Sequence, residues 1–247
     1  MTGRGWITPD WPVSPRVRAV TTTRTGGASE GPFSSMNLAS HVEDMPARVS
    51  TNRAQLARVL ALPAPPAWLN QVHGTRAVDA AEVDASTEAD ASYTHQPGVV
   101  CAVMTADCLP ILLSDRDGRC VAAVHAGWRG LAAGVIEQAA SRLQSAGGEL
   151  VAWLGPAIGP QAFTVGEEVR GIFLQQDQQA ATAFSTGSSG ELRADLYRLA
   201  RQRLAGCGVT DVYGGHWCTY TDAAQFYSYR RDGMTGRMAS LIWLASE

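Results

Sequence analysis

Three short apolar runs between residues 99 and 125 constrain this chain more than any other feature. Residues 99–104 (VVCAVM) and 109–113 (LPILL) are too short for buried helices and read as strands covered on both faces. The turn Asp115-Arg116-Asp117-Gly118 sends the chain back through residues 120–125 (CVAAVH), so a hairpin is expected. A helix is expected over 127–143, with Leu131, Val135, Ile136, Ala139 and Leu143 on one stripe and Gly147-Gly148 as its stop.

The flanks fit around this centre. Residues 17–23 read as a strand ended by Thr25-Gly26-Gly27, 28–41 as a loop and 48–62 as a helix. After the spacer Pro63-Ala64-Pro65-Pro66, residues 67–72 read extended and run into His73-Gly74. Residues 83–95, with Asp84, Glu88 and Asp90, read as a polar surface loop. Beyond the centre, 151–154 is a strand broken by Gly155-Pro156 and Gly159-Pro160. Helices are expected at 165–174 and 195–204, with a mobile STGSSG loop at 185–190 between them. Strands are expected at 209–213, 226–229 and 237–244. No repeat or convincing linker divides the chain, so residues 1–247 are expected to form one domain that mixes strands and helices irregularly.

Composition narrows the chemistry. All 20 basic residues are Arg. With no Lys, Schiff-base catalysis by a side chain and the P-loop lysine are excluded, and any phosphate or carboxylate must be held by Arg, backbone N–H groups or a metal. A net charge of −3 does not favour nucleic acid or an anionic membrane, and no apolar run approaches the length of a span. The first twenty residues contain Pro12 and Pro15 and no apolar h-region. The five cysteines form no CxxC pair. A reducing, cytoplasmic location is therefore expected.

Three segments put reactive residues beside glycines or a proline where an expected strand stops: Asn70-Gln71-Val72-His73-Gly74, Thr105-Ala106-Asp107-Cys108-Leu109-Pro110 and His125-Ala126-Gly127-Trp128-Arg129-Gly130. His73, Cys108 and His125 would make a zinc set with an open fourth position. With Met104 nearby the same residues describe a blue-copper site. Copper is disfavoured for oxidase chemistry, because only five histidines are present and none forms a His-x-His pair. A third reading needs no metal and makes Cys108 a nucleophile with His125 as its base. Arg129, at the expected helix start, and Arg24, Arg230 and Arg237, near loop glycines, could hold phosphate. The run Phe226-Tyr227-Ser228-Tyr229 could stack on a base, although aromatic strands are usually core. His41 lies in a polar loop that could line a cleft. His95 reads as a surface residue, and His216 as a core residue or a support to the site. Cys101 and Cys120 read as small buried hydrophobes, and Cys207 as a turn residue.

Taken together, NQVHG, TADCLP, HAGWRGLAAGV, WLGPAIGP and SYRRDGMTGRMAS, with TTRTGG, GPFSSMNLASHV and NR near the start, resemble the YfiH/YlmD-type family across nearly the whole chain. Members are described both as laccase-domain polyphenol oxidases and as purine nucleoside phosphorylases. The resemblance implies an α+β fold of mixed β-sheets packed together and covered by helices. It also implies zinc held by His73, Cys108 and His125. The implied activity is phosphorolysis of adenosine, inosine, guanosine and methylthioadenosine, together with adenosine deamination. On that basis Arg24, His41, Arg129, Arg230 and Arg237 become contacts for nucleoside or phosphate, and Asp107 becomes a candidate proton carrier. Where the family pattern has Phe-Glu-Val-Gly, this chain has Phe163-Thr164-Val165-Gly166, so Glu167 or Glu168 would have to supply any charge needed there.

Overall fold

Alternation along the strand foreseen at 99–104 already dictates more than one layer. Cys101 and Val103 are buried on one face of it, and Val100, Ala102 and Met104 on the other. Both faces must therefore be covered. The computed structural model describes residues 5–144 and 149–246. In chain order the elements are β1 (Trp6–Ile7), β2 (Val17–Thr22), α1 (Pro46–Val59), β3 (Ala77–Asp79), β4 (Ala91–Thr94), β5 (Val100–Thr105), β6 (Leu109–Asp115), β7 (Val121–Ala126), α2 (Trp128–Ala133), α3 (Val135–Gln144), β8 (Leu150–Leu154), α4 (Glu167–Gln176), β9 (Phe184–Thr186), β10 (Leu192–Ala194), α5 (Leu196–Gly206), β11 (Asp211–Gly214), α6 (Tyr229–Asp232) and β12 (Met238–Leu244).

The strands form an antiparallel sheet in the order β1-β2-β12-β5 and a mixed six-stranded sheet in the order β11-β8-β6-β7-β4-β3. β9 and β10 make a separate hairpin. In the six-stranded sheet the outer pairs, β11 with β8 and β3 with β4, are parallel, while the inner strands run antiparallel. Between the sheets lie Ala19, Cys101, Val103 and Ile242 from one side and Leu112, Val121, Ala123 and Trp153 from the other. On the far face of the six-stranded sheet, Leu109, Ile111, Leu113, Ala122 and Val124 pack against Leu131, Ile136, Leu143, Phe173 and Leu199 of the helices. On the outer face of the four-stranded sheet, Leu56 of α1 meets Val20, Ala102 and Leu241. The architecture is α+β, with packed mixed sheets covered by helices, as the resemblance implied. Each buried Leu or Ile in these layers contributes about 1.5–3 kcal/mol through removal of apolar surface from water.

Several segments depart from the sequence reading. The helix foreseen over 127–143 is two helices, because Gly134 takes φ +105° and turns the chain between α2 and α3. Its stop at Gly147-Gly148 lies outside the described residues. The polar segment 83–95 is a loop only in its first part. Residues 91–94 form β4, an internal strand beside β7, and Asp90, Ser92 and Thr94 are fully buried. Residues 226–229 are not a strand. Phe226 and Tyr227 are core residues of a loop, with the Tyr227 hydroxyl donating to Phe33 O at 2.6 Å, and Tyr229 opens α6. The STGSSG segment overlaps β9 and forms the turn of its hairpin with β10. All five cysteines are free thiols. Cys101 and Cys120 are buried, and burial pushes their thiols up to about 12 and about 11. Among the described residues no helix is long and apolar enough to cross a membrane.

Candidate metal centre and substrate cavity

The chain changes sheets between β5 and β6, and Ala106, Asp107 and Cys108 make that crossing. Cys108 therefore stands at the seam of the two sheets. His125 comes from the penultimate residue of β7, on the face that carries Val121 and Ala123 toward the opposite sheet. His73 comes from the loop before β3. The ligand atoms of His73, Cys108 and His125 lie within 4.8 Å of one another. Cys108 Sγ is 3.8 Å from His73 Nε2, and the two imidazoles meet edge-on with centroids 4.8 Å apart. His125 is buried, Cys108 half-buried and His73 exposed. Gly127 makes room for the group: a Cβ there would lie 2.8 Å from His73 Cδ2 and 3.1 Å from Cys108 Sγ.

One buried carboxylate organises two of the three side chains. The β4–β7 register sets Asp90 opposite His125. The backbone N–H of His125 donates to Asp90 O, and Nδ1 lies 2.7 Å from Asp90 Oδ1. The same carboxylate accepts the backbone N–H groups of Val72, His73 and Gly74 at 3.3, 2.9 and 2.6 Å. His73 sits at φ +61°, a sparsely populated conformation, and these bonds hold it there. Gln71 fastens the loop to β5 by exchanging two hydrogen bonds with the backbone of Met104. With Nδ1 of His125 bound to Asp90, Nε2 is left for the shared point, as in carboxylate–histidine–metal arrangements.

The electrostatics follow from this packing. Burial pushes the Cys108 thiol up, but the charge and hydrogen bonds of His125 and His73 outweigh it and bring it down to about 6. Burial disfavours the His125 cation, yet Cys108 and Asp90 outweigh that and raise it to about 9. Burial likewise opposes ionisation of Asp90, but its bonds to His125, Gly74 and His73 hold it below the usual carboxylate range. A soft thiolate and two imidazoles converge on one point, and this donor set suits a tetrahedral Zn²⁺ with one position left open.

The group opens into a cavity of about 570 Å³, which is also lined by His41, Asp107, Arg129, Arg230 and Arg237. Arg129 lies over the Trp128 ring, Arg230 over Phe163 and Arg237 over Tyr229, at 4.5, 5.3 and 5.8 Å from their centroids. Arg230 also donates to Thr164 O, and Arg237 to Thr235 O and Gly236 O. Among the described residues none of these three guanidiniums pairs with a carboxylate, so a cationic cavity wall is left for an anion. His41 is held below its ordinary value by desolvation and by Arg237, Arg53 and His125.

Arg24 and His216 depart from expectation. Arg24 does not line the cavity. It donates to Ser34 O and Ala223 O and lies over Tyr227, so it ties loops together. Asp107, expected as a proton carrier, lines the cavity and is firmly held there. At φ +89° its carboxylate accepts Thr219 Oγ1 at 2.6 Å, Ser228 Oγ at 3.0 Å and the Arg230 N–H at 2.7 Å. His216 is neither core nor support: it is exposed and stacks on Trp217, with centroids 3.8 Å apart. His95 is exposed, as expected. The sequence reading missed Asp90, placing it in a surface loop. The available signal was the strand-like alternation of Asp90, Ser92 and Thr94, masked by their polarity.

Residues 18–245 match the family described as multi-copper polyphenol oxidoreductase laccase. A purine nucleoside phosphorylase of Pseudomonas aeruginosa is 54% identical over 240 residues, covering 97% of this chain and 98% of that one. The chain belongs to the YfiH-type, laccase-domain family. Purine nucleoside phosphorylase YfiH of Escherichia coli is 52% identical over 239 residues, with 96% and 98% covered. Among solved structures, a Neisseria meningitidis protein superposes with a TM-score of 0.94 at 49% identity, covering 98% of this chain and all of that one. YlmD from Geobacillus stearothermophilus superposes with a TM-score of 0.89 at 30% identity, with 100% and 98% covered. In this YfiH-type chain Thr164 is exposed, and its carbonyl receives Arg230 Nη1 at 2.9 Å. Glu167 and Glu168 are exposed at the start of α4 and do not line the cavity.

Proposed function

We propose that this cavity is the active site of a zinc-dependent purine nucleoside phosphorylase in a reducing cytoplasm, with adenosine, inosine, guanosine and methylthioadenosine as substrates. One observation carries the reading: a His-Cys-His group shares a cavity with three arginines that, among the described residues, have no carboxylate partner. Relatives named purine nucleoside phosphorylases at 54% and 52% identity support it. His73, Cys108 and His125 would hold the zinc, which would supply Lewis acidity beside the substrate. Arg129, Arg230 and Arg237 hold inorganic phosphate against C1′ of the ribose. A phosphate oxygen forms the new bond to C1′ as the C1′–N9 bond breaks, and its electron pair leaves with the purine. Fixed positive charge around the site stabilises both the dianion and the charge leaving onto the base. Tyr229, the exposed ring among those lining the cavity, offers a face on which the purine stacks. Adenosine deamination, in which water displaces ammonia at C6, uses the same cavity. Zinc is preferred to copper because five histidines cannot furnish a multicopper cluster.

The test is the Cys108→Ala protein, assayed for metal content and for adenosine turnover with and without phosphate. The expected result is loss of both zinc and phosphate-dependent release of adenine. Full turnover in a metal-free variant would refute the assignment. A second reading is favoured by one specific feature, the Cys108–His125–Asp90 relay, which has the order of a cysteine hydrolase. That enzyme would be blocked by alkylation, survive chelators and need no phosphate.

A further inference from the structure

Beside the proposed nucleoside site lies a second cavity of about 450 Å³, and His41 and Met104 line both. It has a cation of its own. Arg53 of α1 stacks on Trp68, 4.3 Å from the ring centroid, and donates Nε to Leu38 O at 2.9 Å. Among the described residues it pairs with no carboxylate. Among the described residues one acid lines this cavity, Asp84, and it is exposed with Oδ1 occupied by Ser86 and Thr87. Its other oxygen remains for hydroxyl groups. The aromatic faces of the first cavity, Trp128, Phe163 and Tyr229, do not line the second. In the proposed pose the ribose would lie toward His41, which both cavities share. A free nucleoside has no anion to offer Arg53.

We infer that the second cavity is a substrate subsite, and that Arg53 and Trp68 there receive an anionic group, phosphate or carboxylate, carried on the 5′ arm of the nucleoside. This rests on the nucleoside reading and names a larger substrate class for the same site. The guanidinium supplies charge and planar donors, the indole keeps it oriented, and His41 and Met104, which line both chambers, set the two side by side.

The experiment compares adenosine, adenosine 5′-monophosphate and adenosine-5′-carboxylate on zinc-loaded wild type, Arg53→Gln and Arg53→Lys, by steady-state kinetics and by calorimetric binding. In wild type, at least one anionic arm is expected to bind about tenfold or more tighter than adenosine and to raise kcat/KM in the same proportion. Arg53→Gln is expected to collapse that ratio toward one, and Arg53→Lys to keep part of it, because charge remains. A gain with only one arm identifies the anion and supports the inference. Anionic arms that bind no tighter than adenosine would overturn it, as would a ratio that Arg53→Gln leaves intact. A purely structural Arg53 would lower all three substrates together and leave the ratio alone, which also overturns it. If no nucleoside is phosphorolysed, the proposed function fails, while the calorimetric ratio still decides the subsite.

Discussion

Gly127→Ala isolates the metal group from the fold. Gly127 follows β7 with φ −63° and ψ 154°, a conformation open to any L residue, so alanine meets no backbone penalty. It meets the site instead, at 2.8 Å from His73 Cδ2 and 3.1 Å from Cys108 Sγ, where ordinary contact begins near 3.4 Å. His73 must retreat by roughly half an ångström, more than the ~0.2 Å that metal–ligand distances tolerate. Disturbed ligand orientation lowers metal affinity by about 10–100-fold. Metal-dependent stabilisation then falls by about 1.4–2.7 kcal/mol at fixed free zinc. The metal-free protein should change little, since removing a glycine from the unfolded chain gains about 0.4–1 kcal/mol and offsets the contact. The assay is zinc competition against a fluorescent chelator, with thermal unfolding in the presence and absence of excess EDTA. Wild-type affinity in Gly127→Ala would refute the reasoning, because it would mean that fewer than three of these side chains ligate.

Other outcomes follow from the same geometry. Asp90→Asn leaves backbone donors facing an amide nitrogen, and should cost about 3–5 kcal/mol of stability together with most of the metal affinity; denaturant unfolding of the metal-free variant checks it. In chelated wild type, Cys108 is depressed from its ordinary value to about 6 and His125 raised to about 9. The thiolate's contribution to stability is lost as pH falls through about 6, and the imidazolium's as pH rises through about 9, so the pair persists between them. Alkylation of Cys108 by iodoacetamide should therefore switch on with a midpoint near 6 in the chelated protein, and zinc should suppress it. A midpoint near the ordinary thiol value would show that the imidazoles do not act on the sulfur. Arg237→Gln should raise KM for phosphate tenfold or more with zinc content unchanged, measured by adenine release at varied phosphate; an unaltered KM would remove Arg237 from the anion wall.

The strands β5, β6 and β7 were legible because each is covered on both faces, so their residues had no reason to be polar. The three side chains at the metal group were legible for a related reason: each stands out as a polar residue where a run of apolar ones stops. β4 was not legible. Ser92 and Thr94 in it, and Asp90 just before it, are buried polar residues, and a composition rule reads such a stretch as solvated. The role of Asp90 arises from strand register, which no local pattern encodes. Arg24, Arg230 and Arg237 sit in similar glycine-containing settings, yet only the latter two face the cavity. What separates them is the tertiary path of the loops. Phe226 and Tyr227 show the converse error, since aromatic residues suggested a strand where burial occurs in a loop whose hydroxyl finds Phe33 O.

The crossing at residues 106–108 has a consequence for how this molecule can vary. Because the thiol rides on the stitch between two sheets, its distance from the imidazole at the end of β7 is set by how those sheets lie on one another. Trp153, Leu112 and Ile242, which fill the gap between them, thus act as remote shims for the coordination geometry. Substitutions there would shift the spacing of the three candidate ligand atoms while every residue that lines the cavity stays as it is.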